Sequence, residues 1–412
     1  MQVQYPCCCG LDVHKASVVA CLLQLDAHGH RSTEIRTFGT TTDELLALGD
    51  WLRASGATHV AMEATGSYWK PVYNILEGQL TTWVVNAAHI KAVPGHKTDV
   101  HDAEWIADLL QHGLLKPSFI PGRFQRELRD LTRSRTIVID ERSAVVNRLQ
   151  KVLEDANIKV AGVATDIMGV SGRAMLAAIV AGTTDSVTLA DLARGKLRRK
   201  REQLERALSG RVDAHHRLLL SMHLAHVDFL DELVTQLNAE IAERLQPFED
   251  ELSRLDTIPG VGRSTAEVIL AEIGADMTRF PSAGHLASWA GMCPGNYESA
   301  GKRKGGKTRR GSKFLRRALT EAARAAARKR GCYPAAQYRR LVVRRGPGKA
   351  AVAVGHTILL TVYYMLLRHD TYRDVDPSVL DERLQARSRQ RALDQLRALG
   401  YDVTLSPHNA AA

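Results

Sequence analysis

Short hydrophobic segments alternate with amphipathic ones along the first 120 residues. Two early segments are rich in apolar and β-branched residues, and a turn-like stretch at 26–29 follows the second. A third segment alternates, and a short apolar run ends at Glu63. Segments with leucines at helical spacing lie between these strand-like segments. The alternation predicts a mixed α/β domain. The predicted strands are 7–11, 17–25, 31–37, 59–62 and 82–85, and the predicted helices are 42–54, 67–76 and 99–110.

Beyond residue 120 the pattern becomes helical. Residues 121–250 are strongly charged and carry a short heptad pattern, which predicts a coiled-coil-like linker. This pattern leaves two interpretations open, a helical hairpin packed in a bundle and a dimerising stalk. The heptad residues are Val227, Leu230, Val234, Leu237 and Ile241. The predicted organisation is an α/β domain at 1–120, this linker at 121–250, a mostly helical domain at 251–375, and a polar helical tail at 376–412.

One stretch near the C-terminus, 350–367, contains no formal charge and is long enough to cross a membrane. It also contains Gly355, His356, Thr357 and Thr361, and it follows a strongly basic segment. We therefore predict a buried core helix and no membrane partner.

Charge is distributed unevenly over the 412 residues, whose net charge is +11. Residues 1–120 contain 8 basic and 12 acidic side chains, whereas 302–349 contains 18 basic side chains and one acid, Glu321. A basic chain of this kind favours a polyanionic partner. We expect the polyanion to bind the C-terminal part.

Three of the six cysteines are adjacent, at positions 7, 8 and 9, and the sequence contains no CxxC pair. Adjacent cysteines cannot form an ordinary disulfide framework, and without a CxxC pair this common metal-binding motif is absent from the sequence. We interpret these cysteines as small apolar residues of a buried strand in a reducing, cytoplasmic compartment.

Carboxylates occur at the ends of predicted buried strands. Asp12 follows the first strand, Glu63 ends another, and Asp99 and Asp102 share one face at the start of a helix. Charges placed there need compensation, and a hard divalent cation with oxygen ligands supplies it. The combination predicts a site for Mg²⁺, with Mn²⁺ as an equally suitable ion for the same oxygen ligands.

Structural roles compete with this prediction. A single Asp at a strand end is commonly a turn former, and Asp99 is suited to capping its helix with Asp102 at the third position. His14 and His101 flank the acids as solvated polar residues or as contacts to phosphate or metal. Asp108 is a reserve candidate on the same helix.

A glycine-containing turn at 255–262 resembles a helix–hairpin–helix element. Pro259, Gly260 and Gly262 allow close approach of the backbone, and amides at the start of the following helix can bind phosphate. The alternative is a tight helix–helix corner without a ligand.

The segment 289–311 is glycine-rich, basic and poor in core residues. Ser299 lies just before its cations, which suits them to holding a phosphodiester in line with a serine nucleophile. Ser312 is the nearest competitor, whereas Ser264, Ser282 and Ser288 are interpreted as cap or packing residues. A basic helix face follows. The predicted nucleic-acid contacts are Lys302, Arg303, Lys304, Lys307, Arg309, Arg310, Lys313, Arg316 and Arg317.

Taken together, these motifs resemble those of the DEDD transposases of bacterial insertion sequences, the "IS one-ten" family with its "eleven-eleven" subgroup. They span roughly residues 8–370 in the order found in that family. The motifs are GLDVHK at 10–15, MEATGSYW at 62–69, KTDVHDAE at 97–104, IPGVG at 258–262, GMCPGNYESAGK at 291–302 and RGSKFLR at 310–316.

The resemblance implies a ribonuclease-H-like domain of the Holliday-junction-resolvase type whose acidic tetrad matches Asp12, Glu63, Asp99 and Asp102. It further implies a helical linker and a transposase domain whose catalytic serine aligns with Ser299. Members recombine DNA through a phosphoserine intermediate, assemble as homodimers or homotetramers, and use a non-coding bridge RNA. On this basis we expect a cytoplasmic, nucleoid-associated enzyme.

Three functions remain distinguishable at this point. The first is the serine-plus-acid transposase, in which the loss of either Ser299 or Asp12 abolishes cleavage. The second is a metal-dependent junction nuclease that activates water and does not need Ser299. The third is a nucleic-acid-binding protein without catalysis, in which the acids are dispensable.

Overall fold

The structure is a computed structural model. It describes residues 3–26, 28–64, 66–87, 90, 102–295, 297–299, 302–306, 308, 311–374 and 377–404, with the side chains at 297–299, 302–305, 377–385, 387 and 388 outside this description. The chain divides into two units, Met1–Gly122 and Arg123–Ala412. The three predicted boundaries at 120, 250 and 375 remain predictions.

A five-stranded mixed sheet forms the centre of the first unit, in the order β3-β2-β1-β4-β5. The strands β1, β2 and β3 pair antiparallel, whereas β1, β4 and β5 pair parallel. The strands are β1 Cys7–Val13, β2 Ser17–Leu25, β3 Arg31–Gly39, β4 His59–Glu63 and β5 Thr81–Val85, and the helices are α1 Thr42–Ala54, α2 Trp69–Leu76 and α3 Asp102–Gln111.

Side-chain alternation along β1 divides the core of this unit into two layers. Cys9 and Leu11 pack with apolar residues of α1 and α2, whereas Cys8 packs with Ala103 and Ile106 of α3. The prediction that the adjacent cysteines are core residues is confirmed for Cys8 and Cys9, which are fully buried free thiols. Burial raises the pKa of the Cys8 thiol to about 12, so this thiol stays protonated and unreactive.

The second unit is mostly helical. Its first helix, α4 (Arg123–Asp155), is followed by the short helices α5 (Val170–Val180), α6 (Ser186–Asp191) and α7 (Arg201–Leu208). The chain then returns along α8 (Ala214–Leu245). The remaining elements are α9 Glu249–Asp256, α10 Arg263–Ile273, α11 Ala283–Trp289, β6 Tyr297–Ser299, β7 Lys302–Gly305, α12 Lys313–Arg328, α13 Tyr333–Arg345, α14 Pro347–Arg368 and α15 Pro377–Ala398.

The two long helices, α4 and α8, form an antiparallel hairpin within one chain. Asp155 at the end of α4 lies 3.1 Å from His216 near the start of α8, and Arg135 donates to Asn238 at 3.0 Å. Val227 and Leu230 of the heptad pattern are buried in one core cluster with Val145 of α4. Of the two interpretations of the heptad pattern, the structure of the single chain shows the helical hairpin.

Buried ion pairs connect the hairpin to α10. The Arg135 guanidinium donates to Glu267 at 2.5 Å, and both side chains are less than a tenth exposed. Arg133 donates two hydrogen bonds to the buried Glu272 carboxylate, at 2.7 and 2.9 Å. Arg129 donates to the carbonyl oxygen of Ala271 near the C-terminal end of α10, where a cation is favourable. Burial lowers the pKa of Arg129 to about 10.

Helix α14 is long and apolar enough to cross a membrane. In the structure it packs in the core of the second unit, where Val354, Ile358, Leu359 and Val362 are buried. The prediction of a core helix is confirmed for this segment.

Candidate active site and nucleic-acid surfaces

Asp12 and Glu63 lie at the same edge of the sheet. They follow Leu11 and Met62, which are paired on the neighbouring parallel strands β1 and β4. Alternation places Asp12 on the face of Gly10, and it places Glu63 on the face of Ala61. Ala61 packs with Ala103 of α3, so both carboxylates belong to the layer that α3 covers. Both residues are half-buried.

Helix α3 brings Asp102 to this edge. Gln4 and Tyr5 donate their backbone N–H groups to the carbonyl oxygen of Gln111, so the end of α3 lies before the start of β1. A Cβ atom on Gly10 would lie 2.2 Å from the Ala103 carbonyl oxygen. The helix therefore runs opposite to β1, and its first residue, Asp102, lies at the end of the strand that carries Asp12.

Asp99 and His101 are outside the described residues. Three of the four predicted acids thus share one edge of the sheet, and the fourth position is a prediction from sequence. The first strand continues to Val13, so the prediction that it ends at Leu11 is wrong. Asp12 is part of the strand and is paired with Val19 of β2.

The two flanking candidates make local contacts. His14 Nε2 lies 3.0 Å from Asp12 Oδ2, and the His14 side chain is mostly exposed. Asp108 accepts a hydrogen bond from Arg31 of β3 at 2.7 Å and lies 3.8 Å from His112 Nδ1. Asp108, the reserve candidate, therefore forms an ion pair with Arg31 of the sheet.

Ser299 lies at the end of β6 in a two-stranded antiparallel sheet. The register places Ser299 opposite Lys302 and Glu298 opposite Arg303. Two parts of the segment predicted as a glycine-rich loop, 297–299 and 302–305, are therefore paired strands. The side chains of Ser299, Lys302, Arg303 and Lys304 lie outside the described ones, as do residues Lys307, Arg309 and Arg310.

The nearest competing serine caps a helix. Ser312 Oγ accepts a hydrogen bond from the backbone N–H of Leu315 at 3.2 Å, at the N-terminus of α12. Ser282 caps α11 in the same way, by accepting from the backbone N–H of His285. These contacts give both hydroxyl oxygens a structural role.

Arginines at the start of α12 also make intramolecular contacts. Arg316 donates to the carbonyl oxygen of Gly291 at 2.5 Å and to Thr308 Oγ1. Arg317 is paired with Asp140 of α4 and with Glu321, and hydrogen bonds to these carboxylates raise its pKa. The Lys313 ammonium lies 5.0 Å from the Phe314 ring centroid. Further along α12, Arg324 and Arg328 are exposed.

The predicted hairpin turn joins α9 to α10, and its two glycines differ in surroundings. Gly260 has a positive φ of 89°, and a Cβ atom there would lie 2.2 Å from the Ala322 carbonyl oxygen of α12. Gly262 precedes the first residue of α10, and no described atom lies within 4 Å of a Cβ built on it. Gly260 thus allows the turn to pack closely against α12. At Gly262, by contrast, there is open space next to the N-terminus of α10.

Two family models match this chain, one over the segment with the acids and one over the segment with Ser299. Residues 9–158, which include the acids, match the family model described as "Transposase", DEDD_Tnp_IS110. Residues 252–339, which include Ser299, match the model described as "Transposase IS116/IS110/IS902 family". The chain belongs to the IS110 family of transposases.

Relatives of this transposase cover most of its length. It is 24% identical to the transposase for insertion sequence element IS1111A of Coxiella burnetii, over 76% of this chain and 79% of the relative. It is also 24% identical to a probable family 20 transposase of Pseudomonas aeruginosa, over 79% of this chain and 88% of the relative. A shorter match, 33% identical over 26% of this chain and 32% of the relative, is the transposase for insertion sequence element IS1328 of Yersinia enterocolitica. The chain is a transposase, and its partner is DNA.

The donor set of the transposase fits a divalent metal, as the DEDD-type family suggests. Asp12, Glu63 and Asp102 offer carboxylate oxygens, which hard cations prefer. A different group, Asp155, His215 and His216, places ligand atoms within 4.8 Å of one another. There, both ring nitrogens of His216 have contacts, Nδ1 with the backbone N–H of Asp213 and Nε2 with Asp155. We interpret that group as a helix cap.

Sequence reasoning missed one cationic surface of the transposase. Six of the eight residues in 194–201 are basic and none is acidic. Five of them lie between α6 and α7, Arg201 is the first residue of α7, and all six are exposed. The near-zero net charge of the surrounding 121–250 block concealed this cluster, and a shorter charge window reveals it.

Proposed function

We propose that this transposase cuts and rejoins DNA strands through a covalent phosphoserine intermediate. Ser299 is the nucleophile, and Asp12, Glu63, Asp99 and Asp102 hold Mg²⁺ or Mn²⁺. The observation that carries this proposal is that Asp12, Glu63 and Asp102 lie at one edge of the sheet. Bound there, the metal supplies charge stabilisation at the reacting phosphate.

A ribonuclease-H-like fold for the first unit is part of the proposal. The strand order β3-β2-β1-β4-β5, with β2 antiparallel to its neighbours, supports it. In this arrangement β1 is the central strand. Because β4 is its parallel neighbour, the carboxyl ends of both strands meet where Asp12 and Glu63 lie.

The proposed chemistry conserves the phosphodiester. The Ser299 oxygen loses its proton and bonds to phosphorus, while the bond from phosphorus to one strand oxygen breaks and that oxygen takes up a proton. A hydroxyl of a second strand then attacks the same phosphorus, and the serine oxygen leaves and is protonated again. Each step exchanges one phosphorus–oxygen bond for another, so strand joining needs no nucleotide co-substrate.

The position of Ser299 suits this role. It is the last residue of β6, and the backbone register pairs it with Lys302 of β7. Cations next to a serine stabilise the charge that develops on phosphate oxygens. Ser312, the closest alternative, already accepts a hydrogen bond as a helix cap.

The assembly in the proposal is a homodimer or homotetramer. The acids belong to the first unit and Ser299 to the second. We propose that the acids of one subunit act with the serine of another. A non-coding bridge RNA supplies sequence recognition, and basic segments such as 194–201 and 302–349 bind nucleic-acid backbone.

Adduct trapping tests the chemistry. The protein, its co-purified RNA and Mg²⁺ are incubated with labelled DNA spanning the element junction, and protein-linked label is measured after denaturation. We expect an adduct that is lost in Ser299→Ala and in Asp12→Asn and is retained in Ser312→Ala. Cleavage without an adduct that persists in Ser299→Ala would instead establish a nuclease that uses water.

Subunit mixing tests the assembly. Ser299→Ala and Asp12→Asn are each expected to be inactive alone. If the composite site forms between subunits, mixing the two variants restores part of the activity, because some interfaces then combine an intact serine with intact acids. Restoration that is absent at every mixing ratio, with both variants folded and exchanging subunits, would place the two halves in one subunit.

A further inference from the structure

A cavity of about 640 Å³ lies in the second unit, away from the residues assigned above. It is bounded by α14, the start of α13 and the segment that follows α14 at 369–373. Ile258 of the hairpin turn contributes to its lining. A volume of this size accommodates a ligand as large as one nucleotide.

Aromatic rings and cations occur together at this cavity. Tyr364 is 46% exposed, and the Arg368 guanidinium lies 5.1 Å from its ring centroid. Arg373 is a second exposed cation in the lining. An exposed tyrosine supports stacking of a flat ring, and neighbouring arginines bind phosphate.

Hydrogen bonds fix the far side of the cavity. The hydroxyl of Tyr372 donates to Asp374 Oδ1 at 2.9 Å, and the backbone N–H of Tyr333 donates to the same oxygen at 3.0 Å. The backbone N–H of Tyr372 donates to Thr257 Oγ1 at 3.2 Å. These contacts connect the segment after α14 to α13 and to the hairpin turn, so the cavity is preformed.

Hydrogen-bond acceptors complete the lining. The Thr361 hydroxyl donates its hydrogen to the carbonyl oxygen of Thr357 at 3.1 Å, which leaves its oxygen lone pairs available as acceptors. Asp370 is an exposed carboxylate in the lining. Acceptors of this kind match the ring and exocyclic N–H groups of nucleobases.

We propose that this cavity binds one unpaired nucleotide of the nucleic-acid partner, with the base stacked on Tyr364 and the phosphate bound by Arg368 and Arg373. Thr361 and Asp370 accept hydrogen bonds from the base. The proposal rests on the nucleic-acid partner of a transposase and does not depend on the role of Ser299. It predicts that bases with an exocyclic amino group bind more tightly than thymine or uracil.

Fluorescence of 2-aminopurine tests the stacking contact. A single 2-aminopurine is placed in a short DNA strand and in an RNA strand of the same sequence. Binding is measured without divalent metal in the Ser299→Ala background, so the result is separate from strand cleavage. Tyr364→Ala is expected to weaken single-strand binding about 10-fold, the effect of losing one stacked base. Tyr364→Phe keeps the ring and is expected to stay within about twofold of the parent.

Tyr401→Ala is the matched control, because Tyr401 is 63% exposed and lies outside the cavity lining. Duplex DNA of the same sequence is the second control, and its binding is expected to be insensitive to Tyr364. The arm that shows the Tyr364 effect identifies the source of the nucleotide as DNA, RNA or both. Equal single-strand affinity of Tyr364→Ala and Tyr401→Ala in both arms would overturn the proposal, as would an equal loss of duplex binding.

Discussion

A Cβ atom on Gly10 would lie 2.2 Å from the carbonyl oxygen of Ala103 and 2.4 Å from the backbone nitrogen of Ala107. Only hydrogen fits between strand β1 and helix α3 at this point. Because Asp102 precedes Ala103 and Asp12 lies two residues after Gly10, this contact sets the separation of two candidate metal ligands.

Gly10→Ala is therefore expected to displace α3 from β1. Overpacking of this kind costs about 1–3 kcal/mol of unfolding free energy, and the displaced Asp102 weakens metal binding. Thermal unfolding and Mn²⁺ titration measure the two effects. Gly162→Ala is the control, because no described atom lies within 4 Å of a Cβ there. Unchanged metal affinity in Gly10→Ala would contradict the assigned role of this contact.

Replacing Asp12 separates a metal ligand from a structural acid. Asp12→Asn is expected to lower metal-dependent cleavage by more than about 100-fold, because a metal at the reacting phosphate is worth several kcal/mol. Asp108→Asn, on helix α3, weakens the partly exposed ion pair with Arg31 and the longer contact with His112, and is expected to cost less than about 1 kcal/mol of stability. Cleavage assays over a range of Mg²⁺ concentrations compare the two. Similar losses in both variants would argue against the proposed metal site.

The ion pair between Arg135 and Glu267 predicts a large loss of stability. Arg135→Met leaves the Glu267 carboxylate, which is 7% exposed, with only its 3.2 Å pair to Arg263. Loss of every partner of a buried charge costs about 3–5 kcal/mol, so we expect a loss of up to about 3 kcal/mol here. Arg53→Met, which breaks the exposed pair with Asp50, is expected to cost less than about 1 kcal/mol. Urea unfolding of both variants checks the contrast.

His356 predicts a dependence of stability on pH. Burial lowers its pKa below the ordinary 6.5, so the unfolded chain binds a proton more readily than the folded chain. Stability therefore falls as pH drops below about 6.5 and levels off below the folded pKa. His356→Gln is expected to flatten this dependence, whereas His28→Gln, on an exposed turn, leaves it unchanged. Unfolding measured between pH 5 and 7.5 provides the comparison.

The cationic segment at 194–201 predicts the salt dependence of nucleic-acid binding. The double variant Lys196→Gln and Arg199→Gln is expected to reduce the slope of log affinity against log salt by up to about 1.8, or 0.9 for each lost phosphate contact. The control pair, Arg53→Gln and Lys70→Gln, lies in the first unit, whose first 120 residues have more acids than bases. An identical slope for the two double variants would exclude this segment from the nucleic-acid interface.

Hydrophobic periodicity was sufficient to predict most strands and helices of the first unit. The strand Ser17–Leu25 and the helix Thr42–Ala54 match their predicted bounds. The first strand extends two residues beyond its prediction because Asp12 and Val13 keep their backbone pairing to β2. Polarity of a side chain does not prevent its backbone from joining a sheet, so a hydrophobic pattern ends before such a strand does.

The candidate site was only partly accessible from sequence. Strand ends indicated Asp12 and Glu63, whereas the contact of Gly10 with α3 depends on tertiary packing. The pair β6 and β7 escaped prediction because glycine and lysine are poor strand formers, although the backbone still pairs. The bond between Arg135 and Glu267 joins residues 132 positions apart, a separation at which local patterns carry no information.

The hairpin of α4 and α8 also holds together the two ends of a long intervening segment. The contact between Asp155 and His216 brings the two ends of the intervening segment, 156–213, side by side. That segment therefore leaves and rejoins the hairpin at one place, and its buried residues Met175 and Leu176 share one core with Val145 of α4 and Val227 of α8. The first family match ends at residue 158, just inside this segment, and the second resumes at 252. Shortening the segment would expose Val145 and Val227, so the core that it shares with the two helices limits how short it can be.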